Sequence, residues 1–168
     1  EPLANTTPEA GQLQALLARA RDAGCRWLTM EVSSHGLALG RVLGIDFNAA
    51  VFTNLTRDHL DFHGTEEEYF AAKSLLFSNL SESAVAVVDA DDPRSIALAE
   101  LTPARVWSFG ETGAHVRLRD VRFERDRMHI QMETPEGALE VETALTGRFN
   151  SANVVAAVTT GLALGIEA

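Results

Sequence analysis

Short apolar runs of strand length, separated by amphipathic stretches of helical length, most restrict the fold of this 168-residue chain. Arg26–Val32, Ala49–Thr53 and Ala84–Val88 are compact apolar runs, the pattern of strands buried on both faces. Between and around them lie helix signals. Thr7-Pro8-Glu9-Ala10 opens a helix with proline at its first position and an acid in its first turn. Leu13, Leu16, Leu17 and Ala20 supply its apolar stripe, and Gly24 stops it. Thr65 with Glu68 forms a capping box for a helix reaching Leu76 and Phe77. Asp92–Leu101 reads as a further helix, leading to a short strand at Arg105–Trp107. Helices alternating with buried strands predict an α/β fold, a mostly parallel sheet with helices on both faces.

Beyond that point the period changes from buried runs to strict alternation. His115–Phe123, Arg127–Thr134 and Ala138–Leu145 alternate apolar and polar residues, with turns at Asp126 and at Pro135-Glu136-Gly137. They predict a small antiparallel β meander appended to the sheet. Asn150–Leu164 is an alanine-rich apolar helix. With no repeat, low-complexity tract or linker, residues 1–168 are expected to form a single domain.

Charge and composition exclude several functions. A formal net charge of −10, from 24 acids against 14 bases, opposes a phosphate-backbone partner, so no nucleic acid is expected. No apolar run approaches the length of a membrane span, and the cytoplasm is the expected compartment. The single cysteine, Cys25, cannot form an internal disulfide and reads as a small core residue beside Trp27. Lys73 is the one lysine, and no G-x-x-x-x-G-K-[ST] loop occurs, so the main phosphate cradle of any nucleotide site lies elsewhere. Because the sequence opens on Glu1, a processed or excised chain is expected.

Each long apolar run empties into a polar loop: Glu31-Val32-Ser33-Ser34-His35-Gly36, then Asn54 through Gly64, then Asp89-Ala90-Asp91-Asp92. Ligands bind open parallel sheets at the carboxyl ends of strands, so these loops are expected to line one crevice. Carboxylates, imidazoles and hydroxyls together suit Mg²⁺ or Mn²⁺. His59 and His63 are four apart, as in helical zinc sites, but Gly64 and the following cap make residues 54–64 read as a loop. His35 and His63 read equally as structural or functional, and His115 and His129 as structural or surface residues. Lys73, four after Tyr69 and three before Leu76, lies at its helix's apolar stripe. Two readings stay open for it: a lysine that snorkels its amine to water, or a desolvated amine able to take up carbon dioxide as a carbamate.

Glu31-Val32-Ser33-Ser34-His35-Gly36-Leu37 and Phe52-Thr53-Asn54-Leu55-Thr56-Arg57-Asp58-His59-Leu60-Asp61-Phe62-His63-Gly64 resemble the Mur ligases. Asn5-Thr6-Thr7-Pro8, Ala71-Ala72-Lys73, Asp89-Ala90-Asp91-Asp92 and Gly147-Arg148-Phe149-Asn150-Ser151-Ala152-Asn153 follow in that family's order, so the resemblance covers essentially the whole chain. The tripeptide-synthetase branch is the nearest in pattern. The resemblance implies a central ATP-binding domain of an amide-forming ligase, acting through an acyl phosphate on UDP-N-acetylmuramoyl-dipeptide, ATP and a diamino acid. It implies that Glu31 and His59 hold Mg²⁺ and that Lys73, as a carbamate, supports a second metal, which makes these three the catalytic group. It further implies substrate contacts from Asn5, Thr6, Thr7, Ser33 and Arg41, and nucleotide contacts from Asn54, Asn150 and Asn153. Leu39 departs from the family, where relatives can carry a polar substrate-binding residue.

The same resemblance places a P-loop strand, a uridine-binding domain and an amino-acid-selecting domain outside this sequence. The chain alone is therefore expected to be inactive, and the truncated sheet edge is expected to allow self-association. Two other classes fit the same residues: a metal-dependent hydrolase using Glu31, His59 and carbamylated Lys73, and a non-catalytic nucleotide-binding domain.

Overall fold

A computed structural model describes residues 5–55 and 60–167. The elements run α1 (Ala10–Asp22), α2 (Ser34–Ala38), β1 (Ala49–Phe52), α3 (Leu60–His63), α4 (Glu66–Ser78), β2 (Val85–Asp89), α5 (Arg94–Leu101), β3 (Arg105–Gly110), β4 (Val116–Phe123), β5 (Met128–Thr134), β6 (Gly137–Thr143) and α6 (Arg148–Ala163). Two compact units divide the chain: residues 1–46 with 56–76, and residues 47–55 with 77–168.

The second unit holds a six-stranded sheet in the order β1-β2-β3-β4-β5-β6. β1, β2, β3 and β4 pair in parallel, and β5 and β6 continue the sheet antiparallel. The junction between β3 and β4 is a step. Parallel neighbours ordinarily need a long crossover, yet only residues 111–115 separate these two strands. The short link suffices because the strands overlap at just two pairs, Phe109↔Val116 and Gly110↔Arg117. β4 therefore starts where β3 ends and carries the meander beyond the carboxyl edge of the parallel strands.

Packing follows the pleat. Val85 and Val87 of β2, Phe109 of β3, Val116 of β4 and Met128, Ile130 and Met132 of β5 form one core with Val155, Ala156, Leu162 and Ala163 of α6. Ala86 and Val88, which alternation turns to the other face of β2, are buried as well, so this strand is covered on both sides. β5 shows the expected two-residue period, burying Met128, Ile130, Met132 and Thr134 while His129, Gln131 and Glu133 are half-buried. α6 closes its end by reaching across to β3, where Arg105 Nη2 donates to the Ala163 carbonyl at 2.7 Å.

In the first unit α1 carries the expected stripe, with Leu13 buried and Leu16, Leu17 and Ala20 half-buried. It starts at Ala10, after Pro8 and Glu9. Half of the expected capping box forms in α4, where the Glu68 N–H donates to Thr65 Oγ1 at 3.1 Å.

Three expectations are corrected. Arg26–Val32 is not a strand: it has no regular structure, and Trp27 and Leu28 are 63% and 49% exposed. An apolar run becomes a strand only when another strand takes up its backbone groups. At its end the Glu31 carbonyl and the following Ser33 N–H bond the Thr7 hydroxyl instead of a neighbouring strand. Cys25, in the same run, is exposed rather than a core residue. Residues 54–64 are not loop throughout, because Leu60–His63 form the single turn of α3 immediately before Gly64, whose φ of 79° ends it.

Candidate functional site

In the first unit, polar groups gather on Thr7, which is fully buried. Its hydroxyl donates to the Glu31 carbonyl at 3.1 Å and accepts from the Ser33 N–H at 2.8 Å. Ser33 is the N-cap of α2, its Oγ accepting from the Gly36 N–H at 3.1 Å. The Thr7 carbonyl accepts from Arg41 Nη1 at 3.1 Å, and Arg41 Nη2 pairs with Glu9 at 2.6 Å. Thr7, Ser33 and Arg41 thus form one hydrogen-bonded group, whereas Asn5, Thr6, Glu31 and Leu39 are exposed.

Gly36 is what lets α2 approach Thr7 so closely. A Cβ there would stand 2.8 Å from Thr7 Cγ2 and 2.9 Å from Thr7 Cβ, neither of them the end of a flexible chain. Gly36→Ala is expected to destabilise the chain by about 1–3 kcal/mol through overpacking, read as a lower urea midpoint at constant slope. An unchanged midpoint would show that α2 is free to move off Thr7.

Beside this group lies an aromatic and imidazole cluster. His63 Nε2 and Ser34 Oγ, both buried, are 2.9 Å apart. The His63 ring meets His35 and Phe62 edge-on, with centroids 5.5 and 4.8 Å away, and stacks on Tyr69 at 5.3 Å. Lys73 Nζ sits 5.3 Å over the Tyr69 ring. Periodicity located the lysine at the apolar stripe, and the structure half-buries it there. The pairing of Ser34 with His63 left no sequence signal, since 29 residues separate them.

The metal expectation rests on donor chemistry. Glu31 offers an exposed carboxylate, while His59 lies outside the described residues. Among the described residues, no group of three or more His, Cys, Asp or Glu side chains is placed to hold a metal. An ammonium cannot ligate a cation, so Lys73 completes the set only as a carbamate, which would turn a positive group into a hard anionic oxygen donor.

The second unit contains a cleft of about 770 Å³ at the step from β3 to β4. Asp89 and Asp91 after β2, Gly110–Thr112 after β3, Leu118–Val121 of β4, and Arg148 and Ser151 of α6 line it. This is the carboxyl-end position expected for ligands of a parallel sheet. Of the three polar loops, the Asp89–Asp92 loop supplies Asp89 and Asp91 to this cleft. Asp91 braces the mouth, its Oδ2 accepting from the Glu111 N–H at 2.6 Å and its Oδ1 from Thr112 Oγ1 at 3.1 Å. Asn150 and Asn153 sit one turn apart near the start of α6: Asn150 Nδ2 donates to the Thr146 carbonyl at 2.7 Å, and its Oδ1 accepts from Asn153 Nδ2 at 3.3 Å. Asn54 is exposed just after β1. Sequence reasoning did not single out Gly110–Thr112 or Arg148 as cleft residues. Their role follows from the β3–β4 step, which no local pattern signals.

Burial pushes the Asp89 carboxyl above the ordinary aspartate range. The Asp91 N–H that it accepts opposes this, and the charges of Asp91 and Asp92 add to it. The folded chain therefore binds this proton more tightly than the unfolded one, and stability falls as pH rises through the raised value. Asp89→Asn keeps the acceptor for Asp91 but carries no charge. It is expected to be more stable than the wild type at neutral pH, with the difference vanishing below the ordinary aspartate range. Urea unfolding at both pH values checks this, and a neutral-pH loss would contradict it.

The described helices are too short or too polar to cross a membrane. Comparison with known proteins places the whole arrangement. The chain is 44% identical over 160 residues to the UDP-N-acetylmuramoyl-L-alanyl-D-glutamate–L-lysine ligase of Staphylococcus haemolyticus, covering 92% of this chain and 32% of that protein. It is 47% identical over 164 residues to the corresponding 2,6-diaminopimelate ligase of Gloeobacter violaceus, covering 97% and 33%. A solved structure of a UDP-N-acetylmuramoyl-L-alanyl-D-glutamate–2,6-diaminopimelate ligase superposes with a TM-score of 0.85 at 32% identity, covering 95% of this chain and 34% of that one. The chain thus spans about a third of the length of the curated relatives it matches. Residues 2–161 match the model of the Mur ligase middle domain, and this chain belongs to that family.

Proposed function

We propose that this chain is the single central ATP-binding domain of an enzyme that joins a diamino acid to UDP-N-acetylmuramoyl-L-alanyl-D-glutamate. In the proposed reaction the γ-phosphoryl group of ATP passes to a substrate carboxylate, giving an acyl phosphate and ADP. The amine of the diamino acid then attacks the acyl carbon, the carbon–nitrogen bond forms as phosphate leaves, and the amine gives up a proton. The observation that carries this reading is similarity over more than nine-tenths of the chain to two ligases of this substrate. Those two differ in the amino acid added yet match almost equally well, which supports a choice of diamino acid made by residues outside this segment.

Within that reading Glu31, His59 and carbamylated Lys73 would hold Mg²⁺, which would supply positive charge to offset that of the phosphates and of the carboxylate being activated. Asn5, Thr6, Ser33 and Arg41 face the UDP-muramoyl substrate, the buried Thr7 serves that group only by holding the Glu31–Ser33 backbone, and Asn54, Asn150 and Asn153 serve the nucleotide. The cytoplasm, where ATP and the nucleotide-linked precursor are available, is the proposed compartment.

The test compares this chain with a form extended through both flanking domains, each given ATP, Mg²⁺, UDP-N-acetylmuramoyl-dipeptide and either L-lysine or diaminopimelate. Phosphate release that requires both the dipeptide and an amino acid in the long form, with none from the chain alone, is the expected result. Turnover in the long form that ignores the amino acid would sink the ligase reading.

A further inference from the structure

We infer that His63 is a positioning residue that ties the capped end of α2 to the Lys73 face of α4. Three observations carry the inference. First, the hydrogen bond between His63 and Ser34 at 2.9 Å is buried at both ends, and Ser34 follows the Ser33 cap directly. A buried bond of this kind holds its geometry, because breaking it strands a polar group away from water. Second, the imidazole stacks on Tyr69 with an interplanar angle of 29°. Stacking fixes the plane of the tyrosine ring, a torsion that is otherwise broad. Third, Tyr69 and Lys73 are four apart on α4, so they share a face, and Nζ lies over the ring that His63 orients. The face of that ring is where a cation is attracted, so its plane sets where the amine rests.

The sequence Ser33–Ser34–His63–Tyr69–Lys73 thus runs from a backbone segment held by Thr7 to the chain's one lysine, all within the first unit. A histidine kept only for core packing would not need both the hydrogen bond and the stacking partner to lie along one line ending on an amine. The reading of Lys73 as a reacting group comes from the proposed function. The positional claim does not depend on it.

Because Lys73 is the sole lysine, ¹³Cε-lysine labelling of this chain gives one lysine side-chain signal. In the wild type the Tyr69 ring current is expected to displace the attached protons from the free-lysine position. His63→Ala should return the signal most of the way to that position, Ser34→Ala part of the way, and His63→Gln, whose amide can reach Ser34, should stay nearer the wild type. Methyl signals of Ile130, in the other unit, report the integrity of the sheet core. Those of Leu13 and Leu37 report the first unit, and a variant that loses their dispersion is set aside in favour of the other two. A folded His63→Ala or Ser34→Ala chain with the wild-type lysine signal overturns the inference.

In the extended ligase, His63→Ala should lower kcat on the order of 10- to 100-fold with most of the loss recovered by His63→Gln. A wild-type ligase without activity defeats the functional reading and leaves the spectroscopic result standing. An active wild type with a fully active, folded His63→Ala variant defeats this inference alone.

Discussion

Lys73→Ala is expected to reduce ligation by the extended enzyme by about 10²-fold or more in kcat, while the domain itself stays folded. The two halves of this expectation have different origins. Lys73 is half-buried and its amine lies over the Tyr69 ring, an interaction worth about 0.5–2 kcal/mol, so truncation leaves most of the stability intact. The chemical loss is larger because a carbamate at this position would supply an anionic oxygen that the alanine side chain lacks. Lys73→Arg separates the carbamate from plain positive charge, since a guanidinium stays protonated and does not take up carbon dioxide. It should be as inactive as the alanine variant. Short carboxylic acids added to Lys73→Ala should restore part of the rate by occupying the vacated space with a carboxylate. An active Lys73→Arg enzyme would end the carbamate reading and return Lys73 to the snorkelling alternative.

Phe109→Ala should cost about 3–5 kcal/mol of folding stability, the largest effect expected of a single truncation in the sheet. Phe109 is 1% exposed and pairs in register with Asp89 on one side and Val116 on the other. It therefore fills the corner where β3 hands over to β4, beside the two pairs that join those strands. Phe109 also lines the cleft, so its truncation should enlarge that space. Phe149→Ala is the control: that ring is 73% exposed, and its loss should stay within about 0.5 kcal/mol. A similar small loss at Phe109 would refute the packing account of the step.

The strands that alternate or that lie between two covering layers were legible in the sequence, because burial imposes a period on them. β5 and β2 are examples: one buries every second residue, and the other buries its four apolar residues in succession. Arg26–Val32 is also a largely apolar run but has no strand partner, and composition does not report partners. The candidate site divides in the same way. Residue types and spacing pointed to Lys73, and the resemblance supplied its role and singled out the asparagines of α6. The hydroxyl of Thr7 that holds two backbone groups, and the histidine that joins α2 to α4, arise from residues more than twenty positions apart. No local rule reaches that far.

The order of the elements has a consequence for how the protein is made. The apolar face formed by Val85, Val87, Phe109, Ile130 and Met132 is covered by α6, which follows every strand in the chain. During synthesis the hairpins of β4, β5 and β6 can pair as soon as they leave the ribosome, since their contacts are local. Their inner surface then stays wet until residues 148–163 have emerged. For that interval the nascent sheet offers a sticky apolar surface to any holding chaperone, and a ribosome stalled ahead of Arg148 would leave it uncovered.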